Sequence, residues 1–575
     1  MSVMSPRLLV LGILSLLVAC GGEEGSVSAE RLPGTDSLTS IVVTPQDAEV
    51  DVGQTQRLFA TGFYADGSRH DISDQVEWSS SDPSIVSVSN DEGSKGVATG
   101  AGAGSALIQV KDDGVIGGVS FGVLDRVVLG MGPLEVSPQN SRYFIDSRGR
   151  TVLLTGSHTW LDFQDAGRGN PPPEFDYNAF LSFLKQNRHN FFRLWTWEQS
   201  RWTLETADDQ YWFNPTTPFV RSGPGVADDG LPKFDLSQFD QNYFDRLRQR
   251  VLAARANAIY VSIMLFNGWS VVDAKGNFSY NNPWHGHPFK ASNNINGING
   301  DLNGNDSGEE THELANPAIT AIQEAYVKKV IDNVNDLDNV LFEISNESNS
   351  GSMDWQNHMV EVIKQYEAGL PDQHPVGITV EWPNGDNSAL FASEADWISP
   401  NGGIDDPPAA DGSKVILDDT DHLCGICGDR YWVWKSFLRG RNPIFMDGYD
   451  GQGYGVGGEG FNFDDPTWVS LRANMGYVAA LARRLPLNQM VPSGALASTG
   501  YCLAKASSEG PVYLVYLPSG GSVTVDLSAT GQATLQVEWL DPIDGTTSAG
   551  DPVTGGRKIR FSSPLSADAV LHIHA

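Results

Sequence analysis

The spacing of apolar residues along this chain changes twice. From Leu38 to about Leu124, short runs such as SIVVTP, QVEWSSSD, IVSVSN and SALIQV alternate apolar with polar positions and are separated by turn residues. That period predicts half-buried strands in a β-sandwich. From about residue 140 to 485 the pattern becomes strand then helix, repeated. A hairpin, SRYFIDSRGRTVLLTG, turns at Asp146–Gly149 and runs on through SHTW as a first strand. NFFRLWTW, YVSIMLFN, NVLFEISNE, PVGITVEW, ADWISPN, KVILDDTD and NPIFMDGY follow as seven more strands. Between them lie segments with apolar residues at three- and four-residue spacing, among them YNAFLSFLKQNR, NPAITAIQEAYVKKVIDNVNDL and WQNHMVEVIKQYEAG, and PTWVSLRANMGYVAALARRL closes the series. Eight strands in βα alternation predict a (β/α)8 TIM barrel. A dinucleotide-binding sheet is disfavoured, because no Gly-rich turn follows the first strand. The last ninety residues return to short strands, YCLAKAS, VYLVYLP, SVTVDLS, LQVEWLDP, KIRFSSP and AVLHIHA, and predict a second β-sandwich.

The N-terminus reads as a targeting segment. Arg7 precedes LLVLGILSLLVAC, an apolar run of the length of a signal peptide and too short for a membrane span. Leu17-Val18-Ala19-Cys20 resembles the bacterial lipobox, which implies cleavage before Cys20 and lipidation of its thiol. The alternative is an ordinary secretory signal that happens to contain a cysteine. The expected layout is a lipoprotein signal peptide (1–19), a flexible Gly/Ser/Glu tether (20–37), an Ig-like domain (38–125), the barrel (126–485) and a C-terminal β-sandwich (486–575). The protein is therefore expected to be exported and held at the bacterial cell surface or in the periplasm, touching the membrane through its N-terminal lipid only.

Composition narrows the partners. With 71 acidic and 38 basic residues the formal charge is -33, which argues against nucleic acid. Cys424-Gly-Ile-Cys427 has no second pair to complete a zinc site, so a local disulfide is expected, and no metal or cofactor is implied.

Two segments resemble known modules. VEWSSSDPSIVSVSNDEGSKGVATGAGAGSALIQV is similar to the group 2 bacterial immunoglobulin-like domains, which implies a stalk. YLPSGGSVTVDL and VEWLDPIDG resemble a C-terminal module known as a collagen-binding domain, a label that says little about function here.

Active sites of such barrels lie at the C-terminal ends of the strands. Those ends carry His158, Trp160, Asp162 and Asp165; Arg193, Trp195, Trp197 and Glu198; Asn267 and Trp269; Asn346 and Glu347; Glu381 and Trp382; Asn401; Asp418, Asp419, Asp421 and His422; and Asp447 and Asp450. An acidic, tryptophan-rich rim suits sugars, whose apolar faces stack on indoles while their hydroxyls meet carboxylates and amides. Asn346-Glu347 at the fourth strand, with a carboxylate at the seventh, resembles the large retaining clan of (β/α)8 glycoside hydrolases. The resemblance implies Glu347 as general acid/base, Asn346 at the sugar 2-hydroxyl, and Arg193 as support for the nucleophile. Glu343 is expected on the same face as Glu347, in support of Arg193. The clan usually has Glu at the seventh strand end; KVILDDTDH offers only aspartates. Asp419 and Asp421 both stay open as the nucleophile, and the shorter side chain leaves inversion open beside retention. TVLLTGSHTW and the C-terminal module look closest to the apiosidase-like branch of these barrels.

The remaining substrate-binding candidates are His158, Trp160, Trp195, Trp197, Asn267, Trp269, Trp382 and His422. The Asn-rich segment 293–310 is expected to form a mobile lid rather than a calcium loop, since His312 stands where a calcium loop needs Glu. His285 and His287 read as sugar contacts or exposed side chains. The expected function is hydrolysis of glycosidic bonds in a carbohydrate. The alternatives are a non-catalytic glycan-binding lipoprotein and a collagen adhesin or protease.

Overall fold

The structure, a computed structural model, describes residues 37–575 except 46–47, 52–54, 92, 103, 125–131, 204–210, 272–282, 384 and 450–461. The expected signal peptide, Cys20, the tether and Asp450 lie outside the described residues. Among the described residues no helix is long and apolar enough to cross a membrane. The chain divides into two compact units, Met1–Arg126 and Val127–Ala575.

The first unit is a β-sandwich. Its four-stranded sheet sets Gly104–Asp112 between Val115–Leu124 and Glu77–Ser80, and smaller sheets carry Leu38–Thr44 and Thr55–Arg57. Alternate residues Ala106, Ile108 and Val110 turn inward against Trp78, Leu58 and Phe121, all buried. The indole N–H of Trp78 is satisfied inside by the Ser73 carbonyl at 3.0 Å.

The second unit is built on an eight-stranded parallel sheet. Its strands are β1 (Gly156–His158), β2 (Phe191–Leu194), β3 (Tyr260–Asn267), β4 (Val340–Asn346), β5 (Val376–Thr379), β6 (Trp397–Ser399), β7 (Val415–Asp419) and β8 (Asn442–Met446). They pair in the order β1-β8-β7-β6-β5-β4-β3-β2. Every residue of β3 and β4 is buried, as expected for strands covered on both faces. The seam between β1 and β2 is closed largely by side chains. Asn190 takes the Thr155 N–H and donates to the Leu153 carbonyl, and His189 Nδ1 accepts the Ser157 N–H. Gly156 allows this approach, since a Cβ there would sit 1.9 Å from the Phe191 carbonyl oxygen.

Helices α1 (Tyr177–Gln186), α2 (Gln241–Ala256), α3 (Pro317–Val334) and α4 (Met353–Glu367) cover the first half of the barrel. α5 (Asn387–Ala392), α6 (Thr420–Leu423), α7 (Arg430–Leu438) and α8 (Pro466–Ala482) complete it. Asp176, Asp240, Asn316, Asp386, Asp429 and Asp465 each accept a backbone N–H at a helix start, so part of the chain's acidity is spent on caps.

The C-terminal residues form a six-stranded sheet and a separate two-stranded antiparallel sheet, Ser522–Asp526 with Lys558–Ser562. One face of the sheet, with Leu503, Leu514, Tyr516 and Val570, shares a core with Trp434 and Phe437 of α7 and Met475 of α8. The other face packs Tyr513, Val515 and Leu571 on Val523 and Val525 of the two-stranded sheet. The module is thus a layer on the flank of the barrel, fastened by the Arg430–Asp568 ion pair at 2.9 Å.

Three expectations change. β2 ends at Leu194, short of Trp195 and Trp197, and β5 ends at Thr379, short of Glu381 and Trp382. A β-insertion, with strands Arg201–Thr203, Tyr211–Phe213, Phe219–Val226 and Pro232–Phe239, stands between β2 and α2. The segment expected as a mobile lid is pinned to that insertion at its start. Phe234 N–H donates to the Asn293 carbonyl, and Leu236 N–H to the Asn296 side chain.

Candidate active site

Arg193 of β2 lies inside the barrel with 2% of its surface exposed. Its guanidinium has five N–H groups, and all five are used. Nε and Nη2 grip Glu343 at 2.8 and 2.5 Å. Nη2 also donates to Asn346 Oδ1 at 2.7 Å. Nη1 donates to Asp419 at 3.0 Å and Asp421 at 2.9 Å. Burial works against the cation, but Glu343 and Asp419 outweigh it, so the group stays charged. One side chain therefore ties the end of β4 to the end of β7.

Asp419 ends β7 and begins α6, where it accepts the Asp421 N–H at 3.0 Å. His158 Nε2, at the end of β1, lies 3.0 Å from the same carboxylate, and its ring stacks on Trp195 at 5.7 Å. Burial pushes the Asp419 carboxyl up, yet the charges of His158 and Arg193 and the hydrogen bond from His158 hold it below the usual carboxylate range. Asp421 goes the other way: burial raises it, Arg193 opposes this, and the neighbouring Asp419 charge raises it further.

His422 of α6 is depressed to about 3 by burial and by Arg193, and is neutral. Its Nε2 therefore donates to Asn346 Oδ1 at 3.1 Å, while Nδ1 accepts the Ser399 hydroxyl at 2.7 Å. With two donors on its oxygen, the Asn346 amide has one orientation. Its Nδ2 is buried without a partner.

Glu347 follows β4 directly and is 5% exposed. Its backbone is left-handed at φ 42°, a conformation that costs a non-glycine residue about 1–3 kcal/mol. The turn is held at its N–H by Thr379 Oγ1 at 3.2 Å, and its carboxylate accepts the Trp269 indole N–H at 2.6 Å. Gly268 makes room for it: a Cβ there would lie 2.2 Å from the Glu347 carbonyl oxygen. The Trp269 and Trp382 rings stand 6.0 Å apart beside this carboxylate.

Of the other expected contacts, Trp160 and Trp195 carry indole N–H groups that are buried and unpartnered, as is Nδ1 of His158. Trp197 is drawn away: its indole donates to the Trp160 carbonyl, and its ring stacks on Trp202 at 4.9 Å. Strand alternation would set it on the face of Arg193, but β2 has ended by then. Asn267 is turned to the backbone, donating to the Thr196 carbonyl and capping the turn that carries Trp269. Asp418 points outside the barrel to Arg441 at 2.6 Å, Asp447 pairs with Arg472 at 2.7 Å, and Glu381 accepts the Gly351 and Met353 N–H groups at the start of α4. Asp165 pairs with Arg246. His285 pairs with Asp306 at the surface.

Sequence reasoning missed the partners of Glu198. This largely buried carboxylate, 11% exposed, meets His312 at 3.0 Å and His287 at 3.3 Å, and those histidines hold it down at about 2 against burial. For Asp162, named at the end of the first strand, it missed the burial. Burial raises that carboxyl to about 7, although it accepts the Trp195 N–H at 2.7 Å.

Comparison with known proteins gives three profile matches. Residues 203–386 match a domain of unknown function (DUF6298), 37–120 the bacterial Ig-like domain (group 2), and 485–573 the "Putative collagen-binding domain of a collagenase". The chain is 35% identical over 104 residues to Ice-binding protein 1 of Shewanella frigidimarina (strain NCIMB 400), a match spanning 18% of this chain and 11% of that protein. Among solved structures it is similar to a "putative glycoside hydrolase" from Bacteroides vulgatus ATCC 8482, with TM-score 0.51 and 12% identity over 92% of this chain and 100% of that one. A glycoside hydrolase family 5 protein of the same strain has TM-score 0.48 and 14% identity over 77% of this chain and 93% of its own. The likeness is one of fold: an Ig-like domain, a nearly closed eight-stranded parallel barrel and a sheet-rich C-terminal region, with a glycoside hydrolase as structural neighbour.

Proposed function

We propose that the barrel hydrolyses a glycosidic bond, with Glu347 as general acid/base and Asp419 as the partner carboxylate. The observation that carries this reading is the Arg193 guanidinium, which joins Asp419 at the end of β7 to Asn346 beside Glu347 at the end of β4. A sugar bound over that bridge would have one carboxyl on each side of its anomeric bond, as the reaction requires. Glu347 gives its proton to the leaving oxygen. Asp419, kept ionised by His158 and Arg193, either bonds to the anomeric carbon or takes a proton from the attacking water. Asp421 shares the same guanidinium but is raised by burial and by the Asp419 charge, whereas Asp419 is lowered, so Asp419 is the better-stabilised anion of the two. Asn346 Nδ2 and the indole N–H groups of Trp160 and Trp195 are donors placed for sugar hydroxyls.

The test is product release from polysaccharides and aryl glycosides, apiosides included, by wild type and by Glu347→Gln, Asp419→Asn and Asp421→Asn. Loss of 10³-fold or more in the first two, with Asp421→Asn retaining measurable turnover, is the expected result. Turnover that survives Asp419→Asn and collapses in Asp421→Asn moves the role to Asp421. Sugar binding without turnover in wild type would replace the hydrolase with a glycan-binding barrel. The anomer first released, read by proton NMR, separates retention from inversion.

A further inference from the structure

The largely buried Glu198 carboxylate is not part of the bridge described above, yet one chain of hydrogen bonds leads from it to Glu347 and another to Ser348 and Ser345, on either side of Glu347. The first runs through the end of β3. Glu198 accepts the Asn267 N–H at 2.9 Å, Asn267 Oδ1 accepts the Trp269 N–H at 3.1 Å, and the Trp269 indole donates to Glu347 at 2.6 Å. The second runs beneath β4. His312 Nε2 lies 3.0 Å from Glu198, His312 Nδ1 lies 3.1 Å from Ser348 Oγ, and Ser348 Oγ lies 2.6 Å from Ser345 Oγ.

Because Nε2 faces a carboxylate, it carries the proton. Nδ1 faces the Ser348 hydroxyl, so the ring joins the Glu198 carboxylate to the serine pair. The His312 ring is fixed by stacking on Trp355 at 4.6 Å and 10°. His287 adds a second imidazole at 3.3 Å, with its Nδ1 occupied by the Phe289 N–H. Ser345, Ser348 and His312 are each fully buried, so the serine–histidine–carboxylate series has no opening for a substrate of its own. What it holds is the residue between Asn346 and Ser348, which carries the left-handed backbone.

We infer that Glu198 is a positioning residue for the proton donor, fixing the backbone of Glu347 through His312 and Ser348 and its carboxylate through Asn267 and Trp269. This rests on the assignment of Glu347 as general acid. A misplaced acid has a signature that loss of folding lacks. It slows the departure of poor leaving groups, which need a proton, and spares good ones, which do not.

The experiment compares 4-nitrophenyl and phenyl glycosides of the sugar that wild type turns over best, using wild type, Glu198→Gln, Ser348→Ala and Glu347→Gln. Ser348→Ala removes one link with a minimal change of volume, and so keeps the test available if Glu198→Gln folds poorly. Glu198→Gln and Ser348→Ala are expected to lose about 10–100-fold more kcat on the phenyl than on the nitrophenyl glycoside, with Glu347→Gln losing more still. Equal losses on both substrates in Glu198→Gln and Ser348→Ala, alongside a differential loss in Glu347→Gln, would overturn the positioning role alone. The absence of a differential loss in Glu347→Gln would overturn the acid/base assignment and this inference with it.

Discussion

Replacing Arg193 with Met tests the electrostatic account of the site without any substrate. The guanidinium is the shared partner of Glu343, Asp419 and Asp421, whose side chains are at most 7% exposed. Met fills much of the volume but supplies neither the charge nor the five donors. Removing one partner of a buried ion pair costs about 3–5 kcal/mol, because the other is left buried and uncompensated. Here three carboxylates lose their cation together, so the upper half of that range is expected at pH 8, seen as a drop of several degrees in Tm.

The pH dependence fixes the cause. In wild type the Asp419 carboxyl is lowered, so its contribution is complete above the ordinary carboxylate range, near pH 4, and is lost only on acidification through the lowered value. Asp421 is raised, so its contribution is present below about pH 4 and is lost as pH climbs through the raised value. Without Arg193, burial and mutual repulsion raise these carboxyls, and the variant recovers stability on acidification by taking up protons. The gap between wild type and variant must therefore be smaller at pH 5 than at pH 8, in thermal unfolding of the full chain followed by near-UV circular dichroism. A gap below about 1 kcal/mol at pH 8, or one equal at both values, would refute the reasoning.

Two further perturbations probe neighbouring features. Asp162 is raised to about 7 by burial, so its contribution to stability is present below about pH 4 and lost as pH rises through 7, about 4 kcal/mol in all. Asp162→Asn still accepts the Trp195 N–H but cannot ionise, so its Tm should gain on wild type between pH 4 and 7 and level off above; a constant difference would count against the assignment. Gly268→Ala would set a Cβ 2.2 Å from the Glu347 carbonyl oxygen and 2.6 Å from Ser348 Cα, both backbone atoms. Relief needs a shift of about 1 Å in the turn, which predicts a loss near 100-fold in kcat/KM with only about 1–3 kcal/mol of stability. Kinetics within threefold of wild type would show that the turn has slack.

The barrel was legible because its strands are buried on both faces, leaving apolar runs such as VLF and IMLF between helical segments. Alternation separates Asp418 from Asp419 because both lie within β7, one meeting Arg441 outside and the other Arg193 inside. The same rule fails for Trp197, because β2 stops at Leu194 and no period governs the chain beyond it. The network around Glu198 left no trace in the sequence. Its members stand at 198, 287 and 312, and the segments carrying the histidines have no strand or helix pattern to say which way they face. His312 entered the sequence reading only as the residue that spoils a calcium loop. The β-insertion was hidden for a related reason: FVRSGPGV and PKFDLSQF interrupt their alternation with Gly, Pro and Asp, so they read as loop until paired with one another.

The acidity of the chain bears on the chemistry through the state of its one central cation. Arg193 keeps no N–H for a ligand, since Glu343, Asn346, Asp419 and Asp421 take all five. The unpartnered nitrogens identified among the described residues of the site are the Asn346 amide, the indoles of Trp160 and Trp195, and Nδ1 of His158, whose other nitrogen already faces Asp419. A hydroxyl suits such a surface, because its oxygen accepts from the amide or indole while its proton goes to a carboxylate. A ligand carboxylate or phosphate would meet the negative field of the carboxylates without a free guanidinium to answer it. On the proposed reading, the cation at the centre of the site serves the protein's own carboxylates, and the described residues around it suit neutral, hydroxyl-rich molecules.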